Sequence, residues 1–63
     1  MTAEEIIEYA QHTLDGIKLA NEGGDKYNAV APLTRIFNSY SALYNKLTGK
    51  RLIVVDGVVQ VEE

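Results

Sequence analysis

The fold of this chain is decided by its C-terminal stretch, Leu52-Ile53-Val54-Val55-Asp56-Gly57-Val58-Val59-Gln60-Val61. Two runs rich in β-branched residues flank an Asp-Gly pair, and this pattern is typical of a two-residue hairpin with a type I′ turn. Such a turn sets the register of the strands, so that Val55 lies opposite Val58 and Arg51 lies opposite Glu62. The pattern predicts an antiparallel β-hairpin over residues 51–62.

The side chains of the two strands alternate between two faces of this hairpin. One face is entirely apolar and is expected to lie on the rest of the chain; it holds Leu52, Val54, Val59 and Val61. The other, the outer face, holds Arg51, Ile53, Val55, Val58, Gln60 and Glu62. Half of the outer face is aliphatic, whereas a solvated face is normally polar. A two-stranded hairpin is also marginal in water and has two open edges. We therefore expect a second copy, or another protein, to contact Ile53, Val55, Val58 and Gln60.

Two amphipathic helices are predicted upstream of the hairpin. The first spans about residues 2–22, because Thr2 and Glu5 match a capping box and Gly23-Gly24 ends the apolar periodicity. The second spans about residues 31–48, with Pro32 in its first turn and Gly49 as its end. Its apolar stripe forms one helical face: Leu33, Ile36, Phe37, Tyr40, Leu43, Tyr44 and Leu47. With a linker over residues 23–30, the two helices predict an antiparallel helical hairpin.

The whole chain, residues 1–63, is therefore expected to be one small α+β domain: a helical hairpin followed by a C-terminal β-hairpin. A chain of 63 residues buries only about 60% of its unfolded surface, so it is marginally stable without help. Small proteins obtain that help from disulfides, a metal or oligomerisation. The chain has no cysteine and one histidine, which excludes disulfides, thiolate metal sites and a histidine cluster. Oligomerisation is the expectation that remains, and no metal or cofactor is predicted.

Composition narrows the functional classes. The chain is 46% hydrophobic and 24% charged, with a net charge of −3, so disorder is unexpected and general nucleic-acid binding is disfavoured. No apolar run approaches the ~18 residues of a membrane span. The acidic start of the chain does not match a signal peptide, so the cytoplasm is the expected location.

The polar face of the second helix has an unusual composition. It is rich in Asn and Ser, which are indifferent helix formers, where a solvated face would more often hold Glu, Lys or Arg. Asn38, Ser41 and Asn45 lie on one stripe, so a single contact surface could use all three. The competing interpretation is a half-buried face packed against a neighbouring helix. We include these three residues in the expected oligomer or partner interface.

A small-ligand site is the alternative to a protein interface. The linker sequence Gly23-Gly24-Asp25-Lys26 offers glycine amides and a cation to an anion such as a nucleotide phosphate, although it lacks the spacing of a P-loop. A plain helix-to-helix linker is the favoured interpretation of this segment, because glycine pairs commonly mark turns. In an oligomer with pockets between subunits, the binding residues would be Lys26, Tyr27, Arg35, Asn38 and Tyr44. DNA binding through the second helix is a distant third candidate function, because the linker is too long for a helix-turn-helix.

No catalytic residues are predicted. Glu8 and His12 lie one helical turn apart, but no nucleophile accompanies them, and catalysis needs a convergent set of acid, base and nucleophile. The chain resembles, in general type only, the very small, acidic α+β proteins common in phages and other mobile elements. The sequence therefore favours a non-enzymatic protein–protein interaction module, an accessory, adaptor or inhibitor protein, acting as a homo-oligomer.

Overall fold

The computed structural model describes all 63 residues and contains two helices followed by an antiparallel β-hairpin. The elements are α1 (Ala3–Glu22), α2 (Val30–Thr48), β1 (Arg51–Val55) and β2 (Val58–Glu62). The predicted α+β fold is confirmed, with α2 beginning one residue earlier than expected. The helices run antiparallel, since Tyr9 of α1 stacks on Tyr40 of α2 while Gly16 lies beside Leu33.

Local hydrogen bonds and glycine turns set the start of α1 and the ends of both helices, as the sequence predicted. At the start of α1, the Glu5 N–H donates to Thr2 Oγ1 at 3.2 Å and the Thr2 N–H donates to Glu5 Oε1 at 2.9 Å. Hydrogen bonding of the Glu5 carboxylate to the Thr2 backbone N–H, and secondly to the Thr2 hydroxyl, favours the charged form and lowers the pKa of Glu5. At the end of α1, Gly24 is left-handed, with φ 73°, and the Asp25 N–H donates back to the Ala20 carbonyl. Gly49, with φ 76°, ends α2 in the same conformation.

The hairpin has the register and the turn that the Asp-Gly pair predicted. Val55 pairs with Val58, and Arg51 pairs with Glu62. Asp56 and Gly57 both have positive φ, 52° and 77°, as a type I′ turn requires. This turn keeps Val59 on the face of the hairpin that meets the helices, where it is buried.

Two side chains of α1 fasten the hairpin to the helices, and Gln11 makes two of their three hydrogen bonds. Gln11 Oε1 accepts a hydrogen bond from the Val59 N–H at 2.8 Å, and Gln11 Nε2 donates to the Gly57 carbonyl at 3.2 Å. The amide thus pairs with the edge of β2 as a neighbouring strand would. Lys18 Nζ donates to the same Gly57 carbonyl at 2.8 Å. Because Val59 is buried, its N–H would lack any partner without Gln11.

The core is thin. Only four of the 63 residues are buried, namely Ile6, Ala10, Tyr44 and Val59. Three members of the apolar stripe of α2, Ile36, Leu43 and Leu47, are 44%, 41% and 56% exposed. Val54, expected to lie on the helices, is 46% exposed. One two-stranded sheet covers one side of a helical hairpin, so the three α2 residues outside that side stay in water. Val54 is partly exposed because β1 has a neighbouring strand on one side only.

We predict that Gln11→Ala lowers the free energy of unfolding by about 1–3 kcal/mol, the cost of leaving a buried donor unpaired. His12→Ala is the matched control, because His12 is the next residue on α1, is exposed and makes no hydrogen bond. Urea denaturation followed by circular dichroism measures both. Equal stability of the two variants would contradict the docking role of Gln11.

Two glycines are expected to respond in opposite directions to alanine. A Cβ on Gly16 would meet Leu33 Cδ1 at 3.5 Å, an ordinary contact, so Gly16→Ala should raise the free energy of unfolding by about 0.5–1 kcal/mol. A Cβ on Gly57 would run into the Lys18 ammonium, and the left-handed backbone there costs alanine about 1–2 kcal/mol. Gly57→Ala should therefore lower the thermal midpoint while Gly16→Ala raises it, and shifts of the same sign would contradict this account.

Candidate interaction surfaces

The outer face of the β-hairpin is accessible. Val55 and Val58, which pair with each other beside the turn, are 42% and 49% exposed. Gln60 is exposed, and Ile53, its cross-strand partner, is half-buried. The four residues predicted for an interface therefore lie together on one side of the hairpin, and three of them are open to solvent.

Local hydrogen bonds explain part of the unusual composition of the α2 polar face. The hydroxyls of Thr34 and Ser39 each donate to the carbonyl four residues earlier in α2. Asn45 Nδ2 donates to the Lys50 carbonyl at 3.1 Å, which ties the end of α2 to the start of β1. Ser41 is half-buried, and Asn38 is exposed with no hydrogen-bond partner in the chain. Neither Asn38 nor Ser41 makes a side-chain hydrogen bond within the chain, and of these two Asn38 is the exposed one.

A second apolar surface lies on the helical hairpin, and we call it the open helix face: Tyr9, Ile36, Tyr40, Leu43 and Leu47. The four α2 residues follow one another at helical spacing on one stripe. The Tyr9 and Tyr40 rings stack with centroids 6.0 Å apart, which joins α1 to the stripe. Tyr40 is half-buried and the other four side chains are 41–56% exposed. The result is a continuous apolar surface in water.

The open helix face points away from the β-hairpin. Gln11 contacts the hairpin, and Tyr9 lies two residues earlier on α1. Two residues correspond to about 200° around a helix, so these side chains project from opposite sides of α1. The hairpin therefore covers one side of the helical hairpin and leaves the other uncovered.

The sequence groups Ile36, Tyr40, Leu43 and Leu47 into one apolar face of α2 but does not identify an uncovered surface there. The seven apolar residues of the α2 stripe span about 120° of the helix surface, which is ordinary for a helix packed on one core. The spacing therefore gives no signal that part of this face is uncovered.

A shallow depression of about 250 Å³ lies at the linker, lined by residues that include Leu19, Lys26 and Tyr27. Tyr27 is 88% exposed, so its ring adds an open aromatic surface beside the Lys26 cation. These are two of the five residues predicted to bind a ligand. The depression is the structural counterpart of the predicted linker site.

The other three predicted ligand residues do not join this depression. Arg35 and Asn38 lie one and two turns into α2, and both are exposed. Tyr44 is only 6% exposed and belongs to the core, near the far end of α2. With a rise of about 1.5 Å per residue, Tyr44 lies roughly 20 Å along α2 from the linker. A single chain therefore does not bring all five residues together.

Asp25 has a structural role beside this depression. Its Oδ1 accepts hydrogen bonds from the Ala29 N–H at 2.7 Å and the Val30 N–H at 3.1 Å. These donors belong to the first turn of α2, where a carboxylate also interacts favourably with the helix dipole. Asp25 thus supplies the cap that Ala29, the residue at the helix boundary, does not have.

Two ion pairs are present, and both are exposed. Lys50 Nζ lies 3.6 Å from Glu63 Oε1, and Lys18 Nζ lies 4.0 Å from Asp15 Oδ1. Arg51 lies opposite Glu62 in the strand register without forming an ion pair. Glu8 and His12 are both exposed on α1. No three His, Asp or Glu side chains converge in a way that could hold a metal ion.

Comparison with known proteins identifies no family model that matches the chain, and no curated protein or solved structure with significant similarity to it. Neither α1 nor α2 is long and apolar enough to cross a membrane.

We predict that Asp25→Ala lowers the free energy of unfolding by about 1–2 kcal/mol, because it removes the cap of α2. Asp25→Asn should retain most of the stability, since asparagine keeps the acceptor oxygen and tolerates the positive φ of 52° at this position. Chemical denaturation compares the two variants. Equal losses for both would show that the hydrogen bonds of Asp25 do not stabilise α2.

Proposed function

We propose that this protein is a non-enzymatic protein–protein interaction module that acts as a homo-oligomer. One observation carries the proposal: ten large hydrophobic side chains are exposed, while only four residues of the chain are buried. Single exposed apolar residues are common, but a contiguous apolar surface marks an interaction site. The open helix face is such a surface, and we assign it to the contact with another copy of the chain.

The size of the chain supports association with copies of itself. A stable interface buries roughly 800 Å² on each partner, which is less than a fifth of the 4500 Å² surface of this chain. The apolar area removed from water in that contact adds to a core that is thin in the isolated chain. Oligomerisation thus completes the hydrophobic core. An adaptor, accessory or inhibitor role in the cytoplasm stays a prediction of the sequence.

A small-ligand binder is the second candidate, favoured by the depression at the linker. Lys26 supplies a cation and Tyr27 an exposed ring at its rim. Arg35 and Asn38 do not line this depression in their own chain. They would have to come from a neighbouring subunit, so this function also depends on oligomerisation. The same native mass measurement that counts subunits would reveal a bound small molecule as added mass.

The assembly is tested by native mass spectrometry and by sedimentation velocity at several protein concentrations. We expect masses that are multiples of 7.0 kDa and a free energy of unfolding that rises with protein concentration, because binding to the folded state stabilises it. A 7.0 kDa monomer at all concentrations, with constant stability, would overturn the proposal.

Leu47→Lys tests the open helix face. We expect it to weaken association about tenfold or more, because a charge replaces an apolar contact. Leu19→Lys is the matched control, since Leu19 is 70% exposed, lies in the last turn of α1 and is outside the open helix face. Equal masses and equal association constants for both variants would remove the open helix face from the interface.

A further inference from the structure

We propose that β1 of one copy pairs antiparallel with β1 of a second copy, so that two hairpins form one four-stranded sheet. This inference rests on the proposed function in requiring self-association, but it uses a different surface from the open helix face. It is carried by a difference between the two edges of the hairpin.

The β2 edge is occupied within the chain. The Val59 N–H donates to Gln11 and not to β1, so the Val54–Val59 pair is not hydrogen-bonded across the hairpin. The groups on this edge near the turn are taken by Gln11 and by Lys18, which also binds the Gly57 carbonyl. A new strand would have to displace both side chains.

The β1 edge is free. Hydrogen-bonded and non-hydrogen-bonded pairs alternate in an antiparallel ladder, so the N–H and C=O groups of Leu52 and Val54 point away from β2. On this edge α2 makes one hydrogen bond, from Asn45 Nδ2 to the Lys50 carbonyl, which precedes β1. The side chain of Val54 is 46% exposed, so the helices do not cover this part of the strand.

One register uses both free residues on each copy. It places Leu52 opposite Val54 of the second copy and Val54 opposite Leu52 of the second copy, and each pair exchanges both backbone hydrogen bonds. The two-fold axis then passes through Ile53, which faces Ile53 of the second copy. Sliding either strand by two residues leaves one of the two free residues without such a partner.

The charges at the ends of this register are complementary. Lys50 falls opposite Asp56 of the second copy, and the same pair recurs on the other side of the axis. Opposite charges across strands favour pairing. Lys50 lies 3.6 Å from Glu63 within its own chain, and this exposed pair leaves most of the ammonium in water. No like-charged residues are brought face to face by this register.

The same pairing gives a contact role to the uncharged polar side of α2. In the chain, α2 packs against β1 and α1 packs against β2, so joining two β1 strands brings two α2 helices side by side. Tyr40 contacts α1 and so marks the side of α2 that faces α1. The opposite flank of α2 is the one that meets the second copy. Asn38 is two residues from Tyr40 and therefore projects from that flank. Its free amide is suited to a contact with α2 of the second copy.

The pairing makes a prediction about the assembly as a whole. The β1 contact and the open helix face are two different self-complementary surfaces, and together they give even-numbered oligomers larger than a dimer. Either surface alone gives a dimer. The two contacts can therefore be removed one at a time.

The test is a disulfide between copies, since the chain has no cysteine of its own. In the proposed register the two Ile53 Cα atoms are about 4.5 Å apart, within the range that a disulfide spans. Ile53→Cys should form a covalent dimer under mild oxidation. Val55→Cys is the matched control: it is on the same face, but the two Val55 residues would be separated by about 13 Å or more along the strands.

Rapid formation of the disulfide-linked dimer by Ile53→Cys, with little formed by Val55→Cys, supports the inference. The crosslink should also form in the double variant Ile53→Cys/Leu47→Lys, because Leu47 is not part of the β1 contact. Because Val55 is 42% exposed and Ile53 only half-buried, random collision would favour Val55→Cys. Equal or reversed rates in an oligomeric protein would overturn the β1 pairing and leave the proposed function standing. A wild-type monomer would overturn both the β1 pairing and the proposed function.

Val54→Pro removes an outward N–H that β2 does not use. It should therefore abolish the Ile53→Cys crosslink.

Discussion

The attachment of the hairpin to α1 is centred on one side-chain amide. Gln11 offers its oxygen and its nitrogen to the backbone of β2 in the way a neighbouring strand would, and this settles where the hairpin lies. Because the amide binds Val59 and Gly57, β2 lies over α1 and β1 over α2. The buried position of Val59, the closed edge of β2 and the open edge of β1 all follow from that attachment.

This attachment also explains why so much apolar surface remains in water. A hairpin held on one side of two helices buries a narrow strip around Ile6, Ala10 and Val59. The other side of the helices keeps Leu43 and Leu47 exposed. A larger protein would cover that side with another element. In the proposed assembly, another copy of the chain supplies that cover.

The local rules predicted the elements well, because each boundary is set by residues next to it. Thr2 with Glu5, Gly49, and Asp56 with Gly57 act within a few residues, and the structure has all three features as expected. The packing was less predictable, because it depends on which long-range partners exist. Nothing in the periodicity of α1 distinguishes Gln11 from a solvated glutamine, since its role depends on residues more than forty positions away. Likewise, the spacing of Ile36, Leu43 and Leu47 shows that they share a face, but not that the chain leaves part of this face uncovered.

The attachment through Gln11 also orders the folding of the chain. The two bonds to Gly57 and Val59 span 46 and 48 residues, whereas the helices and the β-hairpin each form from near neighbours. Closing so long a segment costs more chain entropy than closing a turn. The hairpin is therefore expected to form on its own timescale and to dock last, and its amides should exchange with solvent through a partial opening in which α1 and α2 stay folded.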